Sequence, residues 1–401
     1  MTKQLCVVGI LAGCVAFLSF SAPLVRPAAT TDLKSPAGPG SAEPNLAVGR
    51  DGRVYMTWIE PSQGKGSVLQ FSVLQSQSWS APKAIARGAN WFVNPADFPS
   101  LVVLPDGTLA AHWLVLSGGP DSEAYDINLA FSKDAGATWT KPVVIHRDRK
   151  KRQHGFVSLA PMPDGKLAAI WLDGRNMQDE EHGDMALMYT TISPAGVLGP
   201  EAQIDNRVCE CCQTALAATP DGFVAVYRDR SDKEIRDISL SRFANGRWSS
   251  PEPLSKDGWE IDGCPINGPA VSASAKNVAI AWFTAPDDKP QVNLLMSSDA
   301  SKTFGKKIRI DGGNPAGRVD VETLPTGEAV VSWIERTGAG SQLHLRQVSP
   351  NGTAAAPINV SGATKVASGG FPKIALSGNQ IVAAWTDSAE PSQVHTTLVT
   401  R

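Results

Sequence analysis

FPSLVVLPDGTLAAHWLV, residues 98–115, sets the unit from which the rest of the chain is built. An apolar run turns on Asp106-Gly107 and returns through a second run with Trp113 near its end. After a polar loop come INLAFS (127–132), a tight turn KDAGATW (133–139) and a short run KPVVI (141–145). Four candidate strands thus fall within about fifty residues, each bounded by Gly, Pro, Asp or Ser. A four-stranded sheet cannot bury both faces alone, so a repeated one must stack on its neighbours.

The unit does repeat. VYMTWIE, LAAHWLV, LAAIWLD, FVAVYRD, VAIAWFT, VVSWIER and IVAAWTD place Trp58, Trp113, Trp171, Tyr227, Trp282, Trp333 and Trp385 at intervals of 51 to 58 residues. Most follow a glycine turn such as PDGT, PDGK or PTGE. One bulky ring per sheet is what filling the gap between neighbouring blades requires, so these aromatics are read as packing. The last repeat, Phe371 to Thr400, shows three strands, and TTDLKS at 30–35 is a candidate for the missing outer one. Joining the two termini in one sheet would remove open edges. The expected fold is all-β: a seven-bladed β-propeller of four-stranded antiparallel blades closed by N- and C-terminal strands. A six-bladed alternative requires one Trp-centred unit to be something else.

Composition agrees. The 401 residues include 36 Gly and 29 Pro and are 42% hydrophobic, which suits short strands and tight turns. Charged residues are 19% and the net charge is −2, so no basic balance draws the chain to nucleic acid or to an anionic membrane. Lys3, the apolar run LCVVGILAGCVAFLSF and the small residues Ser21 and Ala22 resemble an export signal over 1–22, followed by a linker at 23–29 and the propeller at 30–401. Leu11-Ala12-Gly13-Cys14 also matches a bacterial lipobox, which would make Cys14 a lipid anchor and the only membrane attachment. No later segment reaches the roughly 20 apolar residues of a membrane span. The expectation is an exported monomer, periplasmic or extracellular.

If strands run outwards from the axis, the connections between blades and those between second and third strands share one face. The tight glycine turns take the other. The long, varied loops therefore form a funnel mouth, and the densest chemistry falls there.

Ser132 to Trp139, SKDAGATW, matches S-x-D-x-G-x-T-W, the Asp-box of the sialidase (BNR-repeat) superfamily. SSDASKTF at 297–304 and SRFANGRW at 241–248 are weaker copies. The chain resembles that superfamily, and its loops resemble those of exported bacterial sialidase-like proteins with a Cys-rich loop. The motif marks the fold and sits on the face away from chemistry. The resemblance implies a glycoside hydrolase whose arginines hold a substrate carboxylate, with an Asp acid/base and a Tyr–Glu nucleophile. ADFPSLVVLPDGTL at 96–109 is similar to the segment holding the family's first arginine, but Asp97 stands in that place; Tyr227 is the last tyrosine, so the late nucleophile has no counterpart. LDGRNMQDEEHGDMALMY at 172–189 is similar to the family's loop after a Trp strand and offers Asp173, Arg175 and Asp184. The implied site is atypical.

Four loops should open together: DNRVCECCQTA (205–215), YRDRSDKEIRD (227–237), KDGWEIDGCPINGPA (256–270) and NPAGRVDV (314–321). Arg175, Arg228, Arg230, Arg236 and Arg318 are candidates to bind an anionic glycan or other small anionic ligand, with Asp229, Asp237 and Asp320 orienting them; salt-bridged loops that merely fix one another are the alternative. Asp173 and Glu335, each ending a strand, are the acid/base candidates. Cys209, Cys211, Cys212 and Cys264 have disulfides as their default state in an oxidising compartment. A copper or zinc thiolate site is the alternative, with His154 the nearby imidazole; otherwise no cofactor is expected. Three functions remain open: a sialidase-like glycan hydrolase, a non-catalytic recognition propeller, and a thiolate metal protein.

Overall fold

The computed structural model describes Met1 and residues 29–400 apart from 63, 65, 120, 121, 180, 181 and 339. The expected signal with Cys14, and positions 23–28 of the linker, lie outside the described residues.

Each Trp- or Tyr-bearing run forms the second strand of a sheet: Val54–Pro61, Leu109–Leu116, Leu167–Asp173, Gly222–Arg228, Asn277–Thr284, Ala329–Thr337 and Gln380–Thr386. Each pairs antiparallel with the strands before and after it, giving seven separate sheets, blades 1 to 7 in chain order. The helical elements among the described residues are two short 3-10 turns, Gly174–Asn176 and Pro286–Asp288. Ala29–Leu33 completes blade 7 by pairing antiparallel with Val394–Thr400, Thr31 opposite Leu398. The seven-bladed expectation and its closure both hold.

Burial follows the repeat. Trp58, Trp171, Trp282 and Trp333 are 0% exposed, so the rings do fill the gaps between blades. Trp171 shares one cluster with Ile127 and Leu129 of blade 2 and with Ala186 and Met188 of its own blade. Burying such a side chain contributes on the order of 2–3 kcal/mol.

The Asp-box is a self-contained hairpin brace. Asp134 Oδ1 accepts from the Ser132 hydroxyl at 2.8 Å and the Thr138 N–H at 2.9 Å, while Ser132 Oγ accepts from the Gly136 N–H at 2.9 Å. Trp139 meets Phe71 of blade 1 edge-on. The copy at 297–304 makes the same bonds through Ser297 and Asp299, with Ser301 at φ +66° where glycine is usual.

The first strands converge on the axis. Asn45, Ser100, Ser158, Ala215, Ala270, Asp320 and Lys373, one from each blade, line a central channel of about 310 Å³. That register positions the site.

Candidate functional site

Two residues before each channel-lining position the chain enters the blade. The residues there are Glu43, Phe98, Phe156, Gln213, Gly268, Arg318 and Phe371. Glu43, Phe156 and Arg318 take left-handed backbone angles, φ +57°, +53° and +56°. Strand pairing slips around all three, between Ala42 and Asn45, Gly155 and Ser158, and Gly317 and Asp320. Such bulges re-aim a side chain, and non-glycine strain of about 1–3 kcal/mol clusters at functional sites.

Two buried carboxyls lie near this mouth. Asp97 is 3% exposed; its Oδ2 accepts the Tyr125 hydroxyl at 2.8 Å and its Oδ1 accepts the Phe156 N–H at 2.7 Å. Burial raises Asp97 to about 7, with both hydrogen bonds pulling the other way. Glu43 is 6% exposed and its Oε2 has no hydrogen-bond partner. Burial, and then the charge on Asp97, push Glu43 to about 8. Asp97 ionises first and Glu43 feels that charge, so the two titrate as a pair. A cavity of about 480 Å³ is lined by Tyr125 and Phe156 together with Glu210, Cys211, Arg230 and Cys264.

The sequence-selected carboxylates occupy different settings. Asp173 accepts from the Trp171 indole at 2.8 Å and from Arg175 through Nε and Nη2 at 2.8 and 2.7 Å, and also from the Arg175 N–H. Glu335 accepts from the Trp333 indole at 2.6 Å and from the N–H groups of Gly312 and Asn314. Each carboxylate has both oxygens engaged in holding a loop on a strand. Asp184 pairs with Arg207 at 3.1 Å.

Most of the candidate arginines are matched. Arg228 donates to the carbonyls of Asn267, Arg236 and Phe283 and lies over the Trp259 ring. Arg230 and Arg236 share Glu210 and Glu234, and Arg175 also reaches Glu201 at 3.0 Å. Asp237 accepts from the N–H groups of Gly258 and Trp259; Asp229 accepts from the Ser239 hydroxyl; Asp320 caps Ile374. Arg318 is the exception. Its guanidinium lies over Phe371 at 4.6 Å, and its buried Nε and Nη1 have no partner.

The four cysteines are unbonded. Cys209 Sγ lies 3.8 Å from Cys211 Sγ and 3.5 Å from Cys212 Sγ, and these three sulfurs fall within 4.8 Å of one another. Those separations are far from the roughly 2.05 Å of a disulfide, so the bridged state expected by default is not the one this structure shows. Arg236 donates to Cys209 Sγ at 3.3 Å, and the Asn267 N–H to Cys212 Sγ at 3.4 Å. His154 lies elsewhere, stacked on His146 at 3.8 Å between Asp126, Asp148 and Asp173.

Sequence reasoning missed Glu43, the Asp97–Tyr125 pair and Lys373. The signal was there: Glu43-Pro44, Phe98-Pro99 and Phe371-Pro372 align as strand entries. Lining up all seven entries yields the ring directly.

A curated relative, the trifunctional purine biosynthetic protein adenosine-3 of Gallus gallus, is 21% identical over 292 residues, 68% of this chain and 27% of that protein. The chain thus spans about a quarter of the length of the curated relative it matches. A crystallised protein of unknown function from Dyadobacter fermentans has a TM-score of 0.54 at 12% identity, covering 93% of this chain and 97% of its own. The α-L-arabinanase of Penicillium chrysogenum, complexed with arabinobiose, has a TM-score of 0.51 at 14% identity, covering 93% and 98%. The NanB sialidase of Streptococcus pneumoniae, as its K499G mutant, has a TM-score of 0.47 at 13% identity, covering 90% and 68%. The description "BNR repeat-like domain" matches residues 67–341, most of the ring, and with the Asp-box hairpins and seven blades in place the chain belongs to that family.

Proposed function

We propose that this chain is an exported sialidase-like propeller that acts on a glycan at its axial mouth as a glycoside hydrolase. The observation that carries the reading is the burial of two carboxyls near the mouth, Asp97 at 3% and Glu43 at 6% exposed, with the Tyr125 hydroxyl on Asp97; that burial pushes both up, to about 7 and about 8. Glycosidic cleavage uses two carboxyl groups, one kept protonated near neutral pH to supply a proton to the leaving oxygen. Glu43, the higher of the two, is the acid; Asp97, oriented by Tyr125 and the Phe156 N–H, carries the charge. Phe98, Phe156 and Phe371 supply aromatic walls, with Phe98 and Phe371 rings 5.7 Å apart. Lys373 Nζ, 4.4 Å over the Phe98 ring, is the cation an anionic sugar would meet.

The family and the arabinanase-like fold support a glycan as ligand. The test incubates the full chain with aryl α-sialosides and aryl α-L-arabinofuranosides beside Asp97→Asn and Glu43→Gln. Turnover of one substrate that falls by about 100-fold or more in both variants, with glycan binding kept, is expected. Binding without turnover in the unaltered chain would make it a recognition propeller instead.

A further inference from the structure

The blade 3–4 connection presents Cys209, Cys211 and Cys212 within four residues, and their sulfurs converge on one point. In tetrahedral thiolate sites a metal–sulfur bond of about 2.3 Å places neighbouring sulfurs about 3.8 Å apart. The 3.8 and 3.5 Å separations from Cys209 Sγ already approach that edge. A fourth thiol is at hand, because Cys264 of the 254–269 loop interacts with the Cys211 thiol and lines the same cavity.

Two donors and a buried cation face these sulfurs. Arg236 donates to Cys209 Sγ, and the Asn267 N–H donates to Cys212 Sγ, both bonds that favour thiolate over thiol. Arg318 lies close enough to Cys212 and Cys211 to feel their charge, while its buried Nε and Nη1 lack any other partner. A neutral trithiol leaves that guanidinium uncompensated, which a buried ion tolerates poorly. A metal–thiolate group supplies the missing counter-charge, with Arg236, Asn267 and Arg318 as the outer partners that tune such sites. Buried imidazoles, the usual borderline ligands, sit elsewhere: His146 and His154 are among Asp126, Asp148 and Asp173.

We infer that Cys209, Cys211, Cys212 and Cys264 form an all-sulfur site for a thiophilic closed-shell metal ion, Cu(I) or Zn(II), on the funnel wall. Soft sulfur donors select these ions. As each metal–sulfur bond forms, the thiol loses its proton to solvent, and no electron is transferred. The site does not depend on Asp97 or Glu43, so it stands or falls apart from the hydrolase reading.

The test uses the full chain, reduced and kept anaerobic. It is titrated with Cu(I) against bicinchoninate and, separately, with Zn(II) against a chromophoric chelator. One ion per chain with an ultraviolet sulfur-to-metal band is expected, and the more tightly held ion names the occupant. Cys211→Ser, at a half-buried position, should weaken binding by about 100-fold or more, and Arg236→Lys by about 10–100-fold. Thermal unfolding of each metal-free variant separates lost ligands from lost fold. Should neither ion bind the unaltered chain more tightly than a variant with Cys209, Cys211 and Cys212 all changed to Ser, the inference is overturned. Intact-mass detection of two disulfides in chain isolated from an exporting host overturns it as well.

Discussion

The indole N–H of Trp171 donates to Asp173 Oδ2 at 2.8 Å, and the two-residue spacing behind that bond recurs in blades 1 and 6. Residues i and i+2 of a strand share a face, so Trp58 reaches Glu60 at 3.0 Å and Trp333 reaches Glu335 at 2.6 Å. In blade 5 no acid follows at that spacing, and Asp257 from the preceding loop takes the Trp282 indole at 2.7 Å. These acids complete a packing device. Asp173→Ala should therefore destabilise the fold by roughly 2–4 kcal/mol, since the indole loses its acceptor, and Arg175 keeps only Glu201, at a 0% exposed position. Urea unfolding measures this. A lost turnover with an unmoved unfolding midpoint would instead return Asp173 to catalysis.

That device also explains what was legible in the sequence. Strand count, closure and blade number follow from the Trp interval and the Asp-box, because packing and turn chemistry are local and periodic. The arginine-rich loops were legible as segments. Their pairing was not legible, because Glu210 and Glu234 lie in those same loops and whether a guanidinium meets them depends on three-dimensional approach. Asp97 and Glu43 were hidden for a related reason. Their raised affinity for protons comes from burial created only when distant blades converge.

Acidic groups whose folded affinity for protons is raised weaken the fold as pH climbs. Glu43 ionises near its ordinary value of 4.5 when unfolded but at about 8 when folded. Between those values the native state holds the extra proton, so stability falls with rising pH across that window and levels off above it. Asp97, raised from 3.8 to about 7, acts in the same sense over a lower range. Glu43→Gln should remove most of the first slope. Relative to the unaltered chain it should gain on the order of a few kcal/mol at pH 8 and almost nothing at pH 4. Unfolding midpoints at both values decide it, and parallel profiles for the two proteins would contradict the assignment.

The Asp-box predicts where small residues are obligatory. Gly136 has φ +77°, and a Cβ there would lie 2.3 Å from the Phe71 ring of the neighbouring blade. Gly136→Ala thus combines a left-handed backbone with a clash across the blade interface. A loss of about 2–4 kcal/mol is expected. Gly107, also left-handed but with nothing near its Cβ position, should lose only about 1 kcal/mol on the same change. Melting curves of the two variants side by side separate the backbone contribution from the clash.

Gly155 tests the site more finely than any change of the acids themselves. A Cβ at this position would fall 2.0 Å from Asp97 Oδ2 and 2.7 Å from the Tyr125 ring, the two groups joined by the 2.8 Å hydrogen bond. Its backbone is not left-handed, so the effect of alanine passes through Asp97 and the Tyr125 ring bonded to it. The carboxyl must move away from Tyr125 or from the Phe156 N–H, the two bonds that hold its proton affinity down. Losing either should raise that affinity further, and the pH limb assigned to Asp97 should shift upward. Turnover should fall by about 10–100-fold because a displacement near 1 Å spoils the approach to the reacting bond. A structural glycine alone would lower the melting temperature and leave the pH profile where it was. Displacement of the limb in Gly155→Ala, absent from Gly136→Ala, is therefore the outcome that ties Asp97 to chemistry.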